Sequence, residues 1–289
     1  MCRFALYLGS PIRISALVTE PDHSIIHQSY RSREREEPLN GDGFGIGWYA
    51  ADQPEHPAVF KDITPAWNNM NLADLARVTR TGCLLAHVRA ASPGLPVTRL
   101  NCHPFRWNDF VFMHNGLVGG FHGIARRLRA GLSDDAYGRL LGTTDSELVF
   151  ALFSDAYLAR PDLPAGERMA AAVVAAITRV EAASAEAGET EPSQINLAVT
   201  DGRRAVVTRY ATGAARPNSL YVDTGEEFNC TDGVCHMRRD GGERAAVIVA
   251  SEPLSDDSGW KPVAADHMLL IDETLQIETR PLEVVAERR

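Results

Sequence analysis

The chain opens with Met-Cys-Arg-Phe-Ala-Leu-Tyr-Leu at residues 1–8, a short apolar run with a cysteine directly behind the initiator methionine. Methionine removal is usual before so small a side chain, so we expect Met1 to be removed and Cys2 to become the first residue. Cys2 would then carry both a thiol and a free α-amine, a group whose reference pKa of about 7.7–8.0 makes it a base near neutral pH. Such a residue can supply nucleophile and base together in acyl transfer. The alternative is an ordinary buried thiol on a first strand.

Length, charge and cysteine usage limit what kind of protein this is. The 289 residues contain no repeat or low-complexity linker, so we predict a single domain over 1–289. A net charge of −9 argues against nucleic acid or an anionic membrane as the main partner. The longest apolar run, residues 169–177, is too short to span a bilayer. The odd count of five cysteines and the lack of a signal peptide predict reduced thiols in a cytoplasmic protein, with Cys230 and Cys235 as structural thiols.

Strand-like runs dominate the pattern of apolar residues. They are short, rich in β-branched and aromatic residues, and bounded by turn formers; they cover residues 3–8, 44–49, 84–89, 110–113, 195–200, 205–210, 245–250 and 268–271. Helical periodicity occurs at 72–78, 124–128 and 149–157, and in an alanine-rich segment at 167–187. The helices cluster in the middle of the chain instead of alternating with strands. This arrangement predicts an α+β layered sandwich rather than a doubly wound parallel sheet.

A run of alternating glycines at residues 41–47, Gly-Asp-Gly-Phe-Gly-Ile-Gly, resembles a phosphate-binding loop only superficially. It matches neither common nucleotide-binding pattern, and no helical pattern follows it. With a period of two, the glycines of an extended segment share one face, where another backbone or a ligand can approach closely. We therefore expect these glycines to serve close packing at least as much as function, and we expect no nucleotide-binding site in this segment.

Two segments at strand ends carry groups suited to binding and catalysis. His87-Val88-Arg89 ends one apolar strand, and an arginine leaving a buried strand suits bidentate capture of a carboxylate. The alternative is a surface arginine at a strand end. His114-Asn115-Gly116 follows another strand, and a side-chain amide beside a glycine N–H can hold a developing oxyanion. Taken alone, however, Asn-Gly after a strand favours a turn.

The segment Thr143-Thr144-Asp145-Ser146-Glu147 precedes an amphipathic helix. Thr144 and Glu147 have the spacing of a capping box, which explains much of the motif structurally. Asp145 is not needed for that box and can bind a cation such as a substrate ammonium. Capping and substrate binding are compatible in this segment.

Metal catalysis and a papain-like cysteine–histidine pair are two other chemistries to consider for this chain. The nine histidines include no H-E-x-x-H or similar pair, and Cys230-x4-Cys235-His236 lacks a matching second half, so no metal or other cofactor is expected. A papain-like pairing of Cys102 with a histidine is also conceivable. Against it, Asn101-Cys102-His103-Pro104 places that cysteine in a loop ended by proline.

Taken together, these segments resemble a known family. Cys2, His87-Val88-Arg89, Asn101-Cys102-His103-Pro104, His114-Asn115-Gly116 and Thr144-Asp145-Ser146-Glu147 occur in the order typical of class II glutamine amidotransferases, which are N-terminal nucleophile hydrolases. The resemblance implies a four-layer αββα sandwich. It implies Cys2 as nucleophile with its α-amine as base, and Asn115 with Gly116 as oxyanion hole. It also implies that Arg89 binds the α-carboxylate of a glutamyl group and Asp145 its ammonium, with His87 and His114 in the same substrate site.

Further segments narrow the resemblance to stand-alone γ-glutamyl hydrolases. Residues 23–30, 40–49, 65–69 and 251–254 look like that branch, which includes a glutathione-degrading γ-glutamyl amidase and the γ-glutamyl hydrolase of ergothioneine biosynthesis. The implied activity is hydrolysis of a γ-glutamyl amide in glutamine, glutathione or a γ-glutamyl thiol conjugate. One alternative is a glutaminase subunit that supplies ammonia to a separate synthase, so a peptidase or synthase subunit is a candidate partner. Another is a catalytically silent interaction protein of the same fold.

Overall fold

The first strand, β1 (Arg3–Arg13), lies in the middle of a seven-stranded sheet. The computed structural model describes residues 2–34, 39–92, 94–231 and 233–284. The strands of this first sheet, in spatial order, are β13 (Lys261–Pro262), β9 (Tyr221–Gly225), β12 (Ala246–Ala250), β1, β4 (Arg80–Val88), β2 (Phe44–Ala50) and β3 (Gln53–Asp62). Every neighbouring pair in this sheet is antiparallel.

A second antiparallel sheet has six strands. In spatial order they are β15 (Ile277–Pro281), β14 (His267–Ile271), β8 (Ala205–Arg209), β7 (Gln194–Thr200), β6 (Phe110–Leu117) and β5 (Phe105–Trp107). A separate hairpin pairs β10 (Glu227–Thr231) with β11 (Val234–Arg238). The helices are α1 (Ser15–Val18), α2 (Ile25–Tyr30), α3 (Met70–Val78), α4 (Phe121–Ala130), α5 (Asp134–Gly138), α6 (Asp145–Leu158) and α7 (Ala165–Ala187), and single 3₁₀ turns form at Ala66–Asn68 and Arg99–Asn101.

Alternation along β1 shows how the layers stack. Phe4, Leu6 and Leu8 pack between the two sheets, whereas Ala5 and Tyr7 face the opposite side, where α1 to α3 and the hairpin cover the first sheet. A third apolar cluster fills the space between the second sheet and the long helices α4, α6 and α7. The order is helices, sheet, sheet, helices. The predicted αββα sandwich is therefore confirmed.

The face of β2 that carries Gly45 and Gly47, here called the glycine face, packs against β6 and against the loop that leads into β5. A Cβ on Gly45 would lie 2.1 Å from the His103 carbonyl oxygen, and one on Gly47 would lie 2.8 Å from Val111 Cγ1. Gly43 has φ +114°, and a Cβ there would be 2.7 Å from Cys102 Sγ. The glycines thus serve close packing, and they bring the Cys102–His103 loop down onto the sheet.

The hairpin corrects one expectation about the cysteines. Cys230 and Cys235 were predicted to be reduced thiols, but they form a disulfide. The register of β10 and β11 places them directly opposite each other, with their Cα atoms 4.1 Å apart. A cysteine count cannot reveal this, because the pairing depends on where the turn falls.

Two features are absent from the part of the chain that the structure describes. None of the helices in this part of the chain is long and apolar enough to cross a membrane. No group of three or more His, Cys, Asp or Glu side chains within it is arranged to hold a metal ion.

Candidate active site

Cys2 lies immediately before β1, with its side chain partly buried. Its thiol donates to the carbonyl oxygen of Ala90, 3.6 Å away, in the segment that leaves β4. Burial raises the pKa of the Cys2 thiol, and the hydrogen bond to Ala90 and the charges of Arg89 and Arg3 offset this only in part. A thiol that stays protonated at neutral pH needs a nearby base before it can attack. The α-amine of a processed Cys2 is such a base.

Asn115 and Gly116 lie inside a strand and not in a turn. The turn alternative for this Asn-Gly pair is wrong, because β6 continues through it, pairing Asn115 with Asn196 and Gly116 with Ile195. Asn115 Nδ2 donates to Ser251 Oγ at 3.2 Å, while its Oδ1 has no hydrogen-bond partner among the described residues. A Cβ on Gly116 would lie 1.8 Å from the Gln194 carbonyl oxygen, so only glycine fits this position.

Arg89 is buried, with 3% of its surface exposed, directly after β4. Its main chain is fixed by Gly43 and Asp42: the Arg89 N–H donates to the Gly43 carbonyl at 2.8 Å, and the Asp42 N–H donates to the Arg89 carbonyl at 3.1 Å. Its Nη1 has no hydrogen-bond partner in the described part of the chain. A buried guanidinium donor left unpaired is costly, and a substrate carboxylate would satisfy it. The alternative of a surface arginine is wrong.

Asp145 is the first residue of α6. Thr144 caps this helix, its hydroxyl oxygen accepting from the Glu147 N–H at 3.2 Å, which is one half of the predicted capping box. The Glu147 carboxylate instead accepts from the N–H groups of Leu141 and Gly142. Asp145 accepts from the Val118 N–H at 2.8 Å. Its other carboxylate oxygen accepts from the Ser146 N–H at 2.7 Å and from the Ser146 hydroxyl at 3.2 Å. A carboxylate has about four acceptor positions, so room is left for one bond from an ammonium.

His87 and His114 are buried between these elements. His114 Nε2 is 3.1 Å from the Gln194 carbonyl oxygen and Nδ1 is 2.9 Å from Ser146 Oγ, so it connects β7 to the start of α6. His87 Nε2 is 3.2 Å from the His114 carbonyl oxygen. Burial lowers the pKa of His87 to about 3 and also lowers that of His114, so both are neutral at physiological pH. These contacts position Asp145 and Asn115 through their neighbours, and substrate contact by either histidine stays a prediction.

The competing thiol, Cys102, is fully buried. Its Sγ donates to the carbonyl oxygens of Thr98 at 3.4 Å and Asp62 at 3.6 Å, and burial raises its pKa. The His103 ring lies against the His87 ring at an angle of 30°, with ring centroids 4.2 Å apart, and burial lowers the pKa of His103 well below the ordinary range. An activated cysteine–histidine pair needs a histidine that accepts the thiol proton. The geometry around Cys102 therefore does not favour the papain-like alternative.

The sequence did not reveal how firmly the start of the chain is held. Arg3 Nη1 donates to the Cys2 carbonyl at 3.0 Å, and its Nε donates to Glu252 at 2.7 Å. Glu252 is fully buried and also contacts His23 Nε2 at 3.0 Å. Although burial alone would raise the pKa of Glu252, hydrogen bonds from His23, Ser32 and the Arg33 N–H, with the charge of Arg3, lower it to about 2.

One signal for this network was present in the sequence. Arg3 is a charged residue at the start of an otherwise apolar strand, and such a residue, once buried, requires an acidic partner. The sequence does not indicate which of the 38 acidic residues pairs with Arg3, because that residue, Glu252, lies 249 positions away.

The antiparallel αββα sandwich, with a cysteine at the head of a central strand and a buried arginine beside it, defines a class of hydrolase. A model of the class-II glutamine amidotransferases matches residues 16–286, and the chain belongs to this family. It is 39% identical over 292 residues to the probable glutamine amidotransferase DUG3 of Saccharomyces cerevisiae, covering 94% of this chain and 82% of that protein. It is 28% identical over 271 residues to the gamma-glutamyl-hercynylcysteine sulfoxide hydrolase of Mycolicibacterium smegmatis, covering 93% and 95% of the two chains.

Solved structures show the same fold. A glutamine aminotransferase class-II domain protein from Silicibacter pomeroyi superposes with a TM-score of 0.66 at 26% identity, covering 97% of this chain and 99% of that one. The glutamine phosphoribosylpyrophosphate amidotransferase of B. subtilis superposes with a TM-score of 0.60 at 13% identity, where this chain covers half of the larger protein. The second likeness concerns the fold alone.

Proposed function

We propose that this protein hydrolyses γ-glutamyl amide bonds, with Cys2 as the nucleophile after Met1 has been removed. One observation carries the proposal: the Cys2 thiol donates a hydrogen bond to the carbonyl oxygen of Ala90. The residue before Ala90 is the buried Arg89, whose Nη1 has no hydrogen-bond partner among the described residues. A candidate nucleophile thus lies beside a buried guanidinium that suits a substrate carboxylate. The names of both relatives, an amidotransferase and a γ-glutamyl hydrolase, agree with this chemistry.

The reaction follows from the groups at hand. The α-amine takes the Cys2 proton, and the thiolate attacks the γ-carbonyl while Asn115 Nδ2 and the Gly116 N–H stabilise the oxyanion. The leaving amine takes a proton from the α-ammonium group of Cys2, and water then hydrolyses the γ-glutamyl thioester. Arg89 binds the α-carboxylate and Asp145 the α-ammonium of the glutamyl group.

A nucleophile test uses two cysteine variants. Glutamate release from glutamine, glutathione and γ-glutamyl-cysteine conjugates should be abolished in Cys2→Ala and retained in Cys102→Ala. Intact mass should show that Met1 is absent. Activity that survives in Cys2→Ala but is lost in Cys102→Ala would overturn the proposal. A protein that binds these compounds without Cys2-dependent release, alone or with partners, would instead be a silent member of the fold.

An oxyanion test uses Asn115→Ala. Loss of one preorganised donor should lower kcat about 10²–10³-fold with a much smaller change in KM, because the negative charge on the oxygen develops during attack and is absent from the bound substrate. Steady-state kinetics on the best substrate measure both constants. A change confined to KM would show that Asn115 binds the ground state instead.

A second candidate function is a glutaminase subunit for a separate synthase. The relative that is 39% identical is named a probable glutamine amidotransferase, and amidotransferases pass ammonia to an acceptor. Glutaminase activity that rises only when a partner protein is added would favour this candidate. Release from glutathione that requires a second protein would identify a complex-dependent peptidase.

A further inference from the structure

A cavity of about 450 Å³ opens beside the two candidate oxyanion residues, and its walls include Gln194, Asn218 and Tyr221. The Gln194 carbonyl oxygen lies 1.8 Å from where a Cβ of Gly116 would be. Asn218 Nδ2 donates to the Asn115 carbonyl at 3.3 Å. Tyr221 pairs with Ala250 in the first sheet. The next residue, Ser251, accepts the hydrogen bond from the Asn115 amide. Two residues of the cavity wall, Asn218 and Gln194, therefore lie directly against Asn115 and Gly116.

Two arginines line this cavity, and both have donors to offer. Arg209 is held by the Asn218 carbonyl at 2.9 Å and the Val263 carbonyl at 2.5 Å, which use its Nε and Nη1. Within the described residues no hydrogen bond is made by its Nη2, and Arg216 makes no hydrogen bond or ion pair. One guanidinium is thus held by two carbonyl groups and the other is unbonded within the described residues, and both carry forked donors suited to a carboxylate.

The remaining polar groups of the cavity refine its chemistry. Glu34 accepts from the Tyr221 hydroxyl at 2.9 Å, and no ion pair joins it to either arginine in the described chain. Two arginines and one glutamate give the lining one net positive charge. Gln194 Oε1 is buried and lacks a partner among the described residues, so it offers an acceptor for an N–H donor. These features suit a ligand with a peptide N–H and one carboxylate.

Size separates the candidate leaving groups. Ammonia, released from glutamine, fills about as much space as a water molecule, roughly 30 Å³. The cavity of about 450 Å³ is far larger and falls in the range of sites for small organic ligands. We propose, resting on the proposed function, that this cavity binds the leaving amine, and that Arg209 and Arg216 bind a free carboxylate which that amine carries. The substrate class is then γ-glutamyl amino acids and short γ-glutamyl peptides.

The test compares two substrates that differ only in charge: γ-glutamyl-cysteinyl-glycine and its glycine amide. Wild type should cleave the free acid with at least tenfold higher kcat/KM. Arg216→Gln should lower kcat/KM for the acid about tenfold, mainly through KM, and leave the amide and glutamine unchanged, because one charge-assisted bond is lost. Arg216 is exposed and unbonded, so this variant should fold. Arg126→Gln, on an exposed face of α4, is the matched control and should match wild type.

Two outcomes overturn the inference and leave the proposed function standing. These are equal wild-type kcat/KM for acid and amide, or an equal loss on both substrates in Arg216→Gln. If no γ-glutamyl compound is cleaved in a Cys2-dependent way, the proposed function fails, and calorimetry decides the inference separately. In the Cys2→Ala background the acid should bind at least tenfold more tightly than the amide, and Arg216→Gln should remove that difference. Equal affinities would sink the inference.

Discussion

The hydroxyl group of Ser251 connects two parts of the proposed active site, the first strand and Asn115. Its Oγ accepts from the Phe4 N–H at 3.0 Å and from Asn115 Nδ2 at 3.2 Å. The first bond fixes the strand that carries Cys2, and the second fixes which end of the Asn115 amide is the donor end. Because an amide that flips would present oxygen to an oxyanion, this orientation matters for catalysis.

We expect Ser251→Ala to lower kcat about tenfold with little change in KM, since an unanchored amide stabilises the oxyanion less often. Ser251→Thr keeps the hydroxyl and should restore most of the activity. Steady-state kinetics on both variants provide the measurement.

A purely structural role would give a different pattern. Ser154→Ala removes another buried hydroxyl, one that donates to the Ala151 carbonyl within α6, and should leave kcat unchanged. A Ser251→Ala enzyme with normal kcat and lowered thermal stability would show that Ser251 does not position Asn115.

At the scale of secondary-structure elements, the packing of β2 requires that Gly45 and Gly47 have no side chains on the glycine face. A methyl group on Gly45 would have to displace the His103 main chain, which the core holds in place. Gly45→Ala should therefore lower the free energy of unfolding by about 1–3 kcal/mol, measured by urea denaturation.

Gly138 at the end of α5 provides the matched control. Nothing lies within 4 Å of a Cβ built there, so Gly138→Ala should leave stability unchanged or raise it by up to about 1 kcal/mol. Equal effects of the two substitutions would refute the packing role assigned to the glycine face.

Sequence patterns predicted the elements whose signal is local. The eight predicted strands are all present, and the alanine-rich helix runs over Ala165–Ala187, ending at Gly188 with φ 69°. The predictions failed where tertiary contacts override local preference. The edge strand β3 contains Pro54 and Pro57, which argue against a strand, and β6 carries an Asn-Gly pair straight through a strand because β7 pairs with it.

The site was predictable to a similar extent. Arg89, Asn115 and Asp145 stand out because each is a polar group at the edge of an apolar element, and a family resemblance then relates them to Cys2. The positions of Ser251 and Glu252 relative to Cys2 were not predictable. They arise from contacts between residues more than a hundred positions apart, and a single sequence carries no record of such pairs.

At the scale of the whole molecule, the buried carboxylate of Glu252 makes stability depend on pH. Its pKa in the folded state is about 2, below the reference value of 4.5. A depressed pKa contributes stability above the unfolded pKa, and that contribution is lost as the pH falls from about 4.5 through about 2. The loss should reach roughly 3 kcal/mol.

Glu252→Gln should be less stable at pH 7, because Arg3 loses its counter-charge, and its stability should change less between pH 5 and 2. Urea denaturation across this range measures the slope. Glu186→Gln, which removes an exposed partner of Arg127, should keep the wild-type slope. A wild-type slope in Glu252→Gln would mean that other carboxylates dominate acid unfolding.

The contact between Arg3 and Glu252 also has a consequence in time. The residues that flank the nucleophile are among the first made, and the carboxylate that holds them is made 249 positions later. At about 5–20 residues per second, the ribosome needs roughly 12–50 s to bridge that interval. Throughout it the first strand lacks its partner β12, and Arg3 lacks its carboxylate partner Glu252. The proposed removal of Met1 then has this interval in which to occur, before the contact with Glu252 fixes the start of the chain.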